Sequence, residues 1–204
     1  MGAAQHKRRV GVMGGAFDPP HQAHAALMRA ACEQLGLDEL RVIPTGLAWH
    51  KPRALTAGHH RLAMATLAFS NIPQMVLDPR EIDRVGPSLT IDTLNELSAE
   101  LPDPELFLII GADQALALTS WRSWRDVVQI AIICVADRAH FTEAKTEFDA
   151  EKAYPSRFRR LQMPAMAISA TDIRTRISVH QGISALVCEP VARYIADHHL
   201  YQTV

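Results

Sequence analysis

The most informative segment of the chain reads Arg9-Val-Gly-Val-Met-Gly-Gly-Ala-Phe-Asp-Pro-Pro-His-Gln-Ala-His24. Its apolar start predicts a short buried strand, which ends at Gly14 and Gly15. Two consecutive prolines then stiffen a tight loop, and the apolar periodicity up to Leu35 predicts a helix that opens at His21. A strand, a turn the size of a phosphate group and a helix start therefore follow one another directly.

His21 and His24 lie three residues apart, so they share one face of the first helical turn. Backbone N–H groups without helical partners and the positive end of the helix dipole lie beside them, and such a place attracts phosphate. Gly14 and Gly15 let the backbone approach a ligand closely. The alternative is a structural turn with two surface histidines, but the preceding strand and the Gly-Gly turn favour a phosphate site.

Residues 14–24 resemble the G-G-x-F-D-P-x-H-x-G-H signature of the H-x-G-H nucleotidyltransferases, and among them the bacterial nicotinate mononucleotide adenylyltransferases. Ala23 stands where that family usually has glycine, and because alanine is the smallest replacement we expect a slightly tighter site. The resemblance implies that His21 and His24 act at the α-phosphate. It also implies an ATP-binding set of Gly14, Gly15, Ala16, Phe17, Asp18 and His24.

Two further blocks resemble the parts of this family that contact ATP. Gly111-Ala-Asp113 follows an apolar run that predicts a central strand, and the resemblance implies that Gly111 and Asp113 approach the adenosine. Residues 168–174 are similar to the family motif I-S-[SA]-T-x-I-R at a second helix start. The resemblance implies that the triphosphate is held there by Ile168, Ser169, Thr171 and Arg174.

Three segments resemble the acceptor side of the family's site. His50 and Lys51 match a histidine–lysine pair that faces the phosphates, which implies substrate binding by His50 and a catalytic role for Lys51. Residues 87–94 are similar to P-S-Y-T-x-D-T-L, whose threonine, here Thr90, holds the nicotinate carboxylate; Ser88 or Thr90 can also cap the next helix. Trp121 is implied to stack on the nicotinate ring, whereas we predict that Trp124 packs in the core.

The composition fits an ordinary globular enzyme of 204 residues, with 48% hydrophobic and 21% charged residues. We expect a flexible tail over residues 1–8 and a single nucleotidyltransferase domain over residues 9–204. The net charge of −1 gives no general reason to bind nucleic acid or a membrane surface. Three widely spaced cysteines and the lack of a membrane-length apolar run favour a cytoplasmic protein. A homo-oligomer is left open.

Strands and helices alternate along the chain, which predicts an open parallel sheet, doubly wound and Rossmann-like, with helices on both faces. The periodicity predicts later strands at 39–44, 74–77, 106–110, 130–135 and 166–168. Residues 139–160 lose periodicity and predict a mobile surface connection or a lid, with Arg157, Arg159 and Arg160 in solvent. The last apolar-periodic run, residues 187–201, predicts a packing helix.

Together these features predict transfer of the adenylyl group of ATP to the phosphate of nicotinate mononucleotide, which releases pyrophosphate. The acceptor phosphate is largely ionised at neutral pH, so no strong general base is needed. Lys51 and Arg174 would serve the departing phosphates. Mg²⁺ would arrive with ATP, since phosphate oxygens and water can supply most of its ligands, and no protein metal ligands are predicted.

Other functions remain open at this point. An adenylyl- or cytidylyltransferase with another acceptor, such as nicotinamide mononucleotide or phosphopantetheine, would share the first motif, although the Thr90 block and Trp121 argue against the phosphopantetheine and cytidylyl types. A synthetase-like remnant is disfavoured by the short chain and the lack of a basic face for tRNA. A non-catalytic nucleotide-binding module would hold ATP without turnover.

Overall fold

The computed structural model describes residues 7–46, 54–138 and 148–202. The strands are β1 (Arg9–Gly15), β2 (Glu39–Pro44), β3 (Met75–Leu77), β4 (Glu105–Gly111), β5 (Ala131–Arg138) and β6 (Phe158–Met163). The helices are α1 (Gln22–Leu35), α2 (Gly58–Phe69), α3 (Arg80–Asp83), α4 (Thr90–Glu100), α5 (Ala112–Ala117), α6 (Trp124–Ile130), α7 (Asp149–Ala153), α8 (Ala170–Ser178) and α9 (Glu189–Asp197). Short 3₁₀ turns cover Leu118–Ser120 and Pro155–Arg157.

The six strands form one parallel sheet in the order β3-β2-β1-β4-β5-β6. The chain builds outward from β1 to β3, then returns to the other side of β1 and builds outward again. The carboxyl ends of β1 and β4 therefore lie side by side where the winding direction reverses, which is where open α/β sheets bind ligands. The predicted doubly wound sheet is confirmed.

Alternate side chains of the central strands bury two apolar layers, one on each face of the sheet. Val12 and Leu108 face the layer that α4 and α6 cover, and Phe107 and Ile109 face the layer that α1 and α2 cover. A third cluster ties the last two helices to α2; its buried members are Met64, Ile173, Val187, Val191 and Ile195. These contacts bring α8 and α9 next to the loop that follows β1.

The last strand was predicted in the wrong place. Residues 166–168 lie in an irregular segment, and the sixth strand is β6 at Phe158–Met163. Only Phe158 and Leu161 of β6 are buried, because an edge strand exposes much of its surface. The strand was not recognised in the sequence because its apolar residues are few and are separated by arginines.

The predicted surface connection over residues 139–160 is also corrected for its described part, residues 148–160. Phe148 is buried in the core layer and α7 follows it. The Arg157 guanidinium donates to the carbonyl oxygens of Val128 and Gln129 at 2.8 and 2.7 Å, and Arg160 pairs with Glu151. Arg157 is half-buried, so the prediction of a solvated side chain is wrong for it, whereas Arg159 and Arg160 are exposed as predicted. Residues 139–147 lie outside the described part.

The two chain ends differ modestly from expectation. Residues 7 and 8, predicted in the tail, contact the domain: Arg8 pairs with Glu39, and its carbonyl accepts the Glu105 N–H at 2.9 Å. The last helix ends at Asp197, earlier than predicted. Within the described ranges, no helix combines the length and the apolar character needed to cross a membrane.

Candidate active site

The loop after β1 presents its backbone outward. Gly14 is exposed, and among the residues that the structure describes a Cβ added there would have only the Ile43 carbonyl oxygen within 4 Å, at 3.9 Å. Phe17 has a positive φ of 46° and turns its ring inward, where it meets the rings of His24 and Phe69 edge-on. The protein itself thus leaves room at Gly14, and a ligand phosphate can approach the main chain there.

His21 is the N-cap residue of α1, and His24 lies in its first turn as predicted. The backbone N–H of His21 donates to Nδ1 of His24 at 3.2 Å. Nδ1 is thus an acceptor, and the neutral His24 ring carries its proton on Nε2. Burial, and secondarily the charge of His21, hold the pKa of His24 well below its usual value of 6.5. His24 is therefore a neutral Nε2–H donor at the helix N-terminus.

Asp18 supports this loop from the inside. Its side chain is only 2% exposed, and Oδ1 accepts the Tyr201 hydroxyl at 2.7 Å while Oδ2 accepts the Thr56 N–H at 3.2 Å. The Asp18 carboxylate thus accepts protein donors through both oxygens, and the prediction that Asp18 binds ATP stays a prediction. A buried carboxylate needs such donors, because burial without them is costly.

The second predicted phosphate-binding helix start reaches the first one. Ser169 caps α8 by accepting the Asp172 N–H at 3.1 Å. The Arg174 guanidinium donates to Thr171 Oγ1 at 3.0 Å and to the Asp18 carbonyl oxygen at 2.8 Å. This last bond spans 156 positions and joins the two motifs directly. Ile168 is half-buried, whereas Ser169 and Thr171 are exposed.

Gly111 ends β4 and is the N-cap residue of α5. Its N–H donates to the Gln114 side chain at 3.4 Å, and Asp113 is exposed in the first turn of the helix. Because β4 pairs with β1, both residues lie at the same edge of the sheet as the loop after β1. The predicted adenosine-binding pair and the predicted phosphate-binding residues are therefore brought to one edge of the sheet.

The predicted acceptor side includes α4, which packs against α3. Gly46 lies against α3 so closely that an added Cβ would be 1.8 Å from the Glu81 carbonyl oxygen. The Glu81 side chain is buried, burial raises its pKa, and it accepts the Thr93 hydroxyl at 2.8 Å. Glu81 thus fixes α4, whose first residue is the half-buried Thr90.

The predicted cap of α4 is wrong. Leu89 is the N-cap residue and makes no side-chain cap, while the Ser88 hydroxyl donates to the Glu81 carbonyl at 3.4 Å. Leu89 nevertheless packs on the same apolar cluster as Trp121 and Trp124, so these residues lie on one face of the sheet.

Trp121 and Trp124 are both half-buried, and they do not lie on one helix. Trp121 follows a 3₁₀ turn, and Trp124 is the first residue of α6. Trp124 meets the Tyr154 ring edge-on at 5.9 Å, as suits a packing residue. His50 and Lys51 lie outside the described residues.

Sequence reasoning missed three supporting residues: Arg61, Glu81 and Thr93. Arg61 shares the buried face of α2 with Met64, Ala65 and Phe69 and is only 3% exposed. A charged residue within an apolar helix face was the available signal for it. Glu81 and Thr93 carried no such signal, because their partner is known only once α3 and α4 pack together.

The chain matches the family model described as cytidylyltransferase-like over residues 12–176. A probable nicotinate-nucleotide adenylyltransferase of Albidiferax ferrireducens is 61% identical over 196 residues, which cover 96% of this chain and 99% of the relative. This chain belongs to the nicotinate-nucleotide adenylyltransferase family. A second member, the probable nicotinate-nucleotide adenylyltransferase of Methylibium petroleiphilum, is 40% identical over 97% of this chain and 94% of its own length.

A solved structure supports the fold of this adenylyltransferase family member. The Plasmodium falciparum nicotinic acid mononucleotide adenylyltransferase complexed with NaAD superposes with a TM-score of 0.79, covering 96% of this chain and 98% of its own. Sequence identity is 20%, so this likeness concerns the fold. The family resemblance found in the motifs is confirmed along nearly the whole chain by the two relatives, which cover 96% and 97% of it.

Proposed function

We propose that the chain transfers the adenylyl group of ATP to the 5′-phosphate of nicotinate mononucleotide, which gives nicotinate adenine dinucleotide and pyrophosphate. The observation that carries the proposal is the 2.8 Å bond from Arg174 to the Asp18 carbonyl. It joins the two helix starts whose motifs fit phosphate, so that one triphosphate can contact both.

The proposed mechanism relies on position and charge. The acceptor phosphate is mostly ionised at neutral pH and attacks the α-phosphorus in line, while the bond to the leaving pyrophosphate breaks. The Nε2–H of His24 would donate to an α-phosphate oxygen, and the exposed main chain at Gly14 would line the phosphate path. Arg174 would neutralise charge on the departing pyrophosphate.

Mg²⁺ enters this proposal as part of the substrate, bound to the phosphates of ATP. Phosphate oxygens and water can supply most of its ligands, so the proposal assigns it no protein ligand. Lys51 would add positive charge near the leaving group, and His50 would contact the substrate. Both roles rest on the family resemblance of their segment.

The acceptor specificity is assigned to Thr90 and Trp121. Thr90 begins α4, where backbone N–H groups and the helix dipole favour a carboxylate. Trp121 offers a half-buried indole surface on the same side of the sheet. A nicotinate ring between them would bring its carboxylate to Thr90 and its face to the indole.

The test is pyrophosphate release from Mg-ATP with four acceptors: nicotinate mononucleotide, nicotinamide mononucleotide, phosphopantetheine and none. Fast turnover with the nicotinate compound is expected, and Thr90→Val should weaken it by raising KM for that acceptor. Turnover only with another phosphate would overturn the acceptor assignment. ATP binding without any turnover would support the binding-module alternative.

A further inference from the structure

A hydrogen-bond network lies behind the loop that follows β1. The Tyr201 phenol donates to Oδ1 of the buried Asp18 at 2.7 Å, from 183 positions away. Burial, and then the Asp18 carboxylate, raise the pKa of Tyr201, so the phenol keeps its proton as a donor. Oδ2 of Asp18 accepts the Thr56 N–H at 3.2 Å. Both carboxylate oxygens therefore hold segments that lie far from the loop in sequence.

Arg61 on α2 supports the same loop at a second point. Its Nη1 donates to the Ala16 carbonyl at 3.0 Å, and its Nε donates to the Thr56 carbonyl at 2.8 Å. The planar guanidinium makes both bonds in one orientation, which fixes direction as well as distance. Arg61 thus positions Ala16 directly and Asp18 through Thr56.

The network reaches the proposed ATP site through Asp18. The carbonyl oxygen of Asp18 accepts Arg174, while the carboxylate of the same residue accepts Tyr201. A displacement of Asp18 therefore moves the Arg174 guanidinium and the loop main chain together. Small displacements at a phosphate-transfer site are expensive in rate, because the reacting groups must stay in line.

We propose that Tyr201 and Arg61 are positioning residues for ATP: they hold residues 16–18 and, through Asp18, the Arg174 guanidinium. They touch no substrate themselves. This inference rests on the proposed use of the loop and Arg174 for ATP. It gives the closing segment, which the sequence suggested only for packing, a part in setting the phosphate site.

Tyr194 provides a matched control. Its hydroxyl also makes one hydrogen bond between the C-terminal region and α2, to Nδ1 of His60 at 2.9 Å. None of the contacts found for Tyr194 reaches the loop at residues 16–18. Tyr194→Phe and Tyr201→Phe therefore remove the same chemical group from the same side of α2, and only the second disturbs Asp18.

The experiment compares wild type, Tyr201→Phe, Tyr194→Phe and Arg61→Lys. Each is measured for the dissociation constant of Mg-ATP, kcat, both KM values and Tm. We expect Tyr201→Phe and Arg61→Lys to weaken Mg-ATP binding and to lower kcat/KM for ATP by about tenfold, from lost positioning. KM for nicotinate mononucleotide should stay within about twofold, as should every constant of Tyr194→Phe.

The binding measurement separates this inference from the proposed function. If wild type binds Mg-ATP without turnover, the reaction is wrong, and weaker binding by Tyr201→Phe still supports the positioning role. If Tyr201→Phe and Tyr194→Phe match in ATP binding and kinetics while both lower Tm, the bond is only structural and the inference is overturned. Should Tyr201→Phe fail to fold, Arg61→Lys decides by the same criteria. A wild-type chain that binds no ATP overturns both.

Discussion

The imidazole ring of His24 stacks on that of His21, with their centroids 3.7 Å apart and their planes inclined by 22°. Two stacked rings at one helix N-terminus resist double protonation, because each added charge repels the other and the helix dipole. His24 is therefore suited to meet phosphate as a neutral hydrogen-bond donor. In the proposed reaction, the charge that offsets the phosphates is assigned to Arg174, Lys51 and the Mg²⁺ bound to ATP.

The pKa of His24 in the protein without ligand should lie well below 6.5, because burial and the His21 charge both disfavour its cation. The unfolded chain then binds more protons below pH 6.5, so this group lowers the free energy of unfolding as the pH falls below that value, and has little effect above it. An NMR titration of the ring C–H signals, assigned with His24→Gln, measures the pKa. A midpoint at or above 6.5 would contradict the prediction.

Replacing His24 with alanine should lower kcat by about 10²–10³, the usual cost of one donor to developing charge. The fold should persist, because the hydrogen bond described for the half-buried His24 side chain is local: it accepts the His21 N–H. His59→Ala, at an exposed position of α2, is the control and should keep wild-type kinetics. Near-normal turnover by the His24 variant would remove it from the mechanism.

Gly14→Ala should separate stability from activity. The added Cβ meets only ordinary contact in the protein, so the free energy of unfolding should change by less than about 0.5 kcal/mol. The same methyl group would stand where the phosphates approach, so kcat/KM for ATP should fall by about tenfold or more. Chemical denaturation and steady-state kinetics test the two halves. Unchanged kinetics would mean that no ligand approaches Gly14.

Gly46→Ala, unlike Gly14→Ala, should lower the free energy of unfolding. Its Cβ would be 1.8 Å from the Glu81 carbonyl oxygen, so backbone must move, at a cost of about 1–3 kcal/mol in unfolding free energy. Gly182→Ala is the matched control, since nothing lies within 4 Å of its added Cβ. Denaturant midpoints of the two variants give the comparison, and equal midpoints would refute the packing argument.

Replacing Trp121 and replacing Trp124 should have different effects. Trp121→Ala should raise KM for nicotinate mononucleotide by about tenfold, as expected for loss of ring stacking, with KM for ATP nearly unchanged. Trp124→Ala should instead lower stability by about 1–3 kcal/mol, because it removes the contact with Tyr154. Steady-state kinetics and chemical denaturation of both variants test this assignment. If Trp124→Ala raised KM for nicotinate mononucleotide and Trp121→Ala lowered stability, the two roles would be reversed.

Sequence reasoning succeeded where short-range chemistry decides the outcome. The strand–loop–helix start at Val10, Gly14 and His21 follows from local patterns, and β2 begins and ends at the predicted residues, Glu39 and Pro44. The edge strand β6 was missed because only two of its six side chains are buried. An edge strand has only one neighbouring strand and buries few of its side chains. The apolar alternation that identifies a strand in the sequence is then too weak.

The partners of the supporting residues could not be found this way, for a different reason. Asp18, Arg61 and Tyr201 act through partners up to 183 positions away, and no local pattern encodes a partner at that distance. Asp18 in particular lies inside a ligand-binding motif while its carboxylate faces the protein interior. A motif thus identifies which residues matter, and only the packed structure shows the direction in which each one acts.

The bond between Tyr201 and Asp18 also sets an order of events during synthesis. The ribosome makes the loop near the start of the chain, and the donor that completes its support emerges 183 positions later. A nascent chain halted within α9 already carries all six strands and both phosphate motifs, yet its Asp18 carboxylate still lacks the phenol. Full assembly of the proposed nucleotide site therefore waits until Tyr201 has left the ribosome.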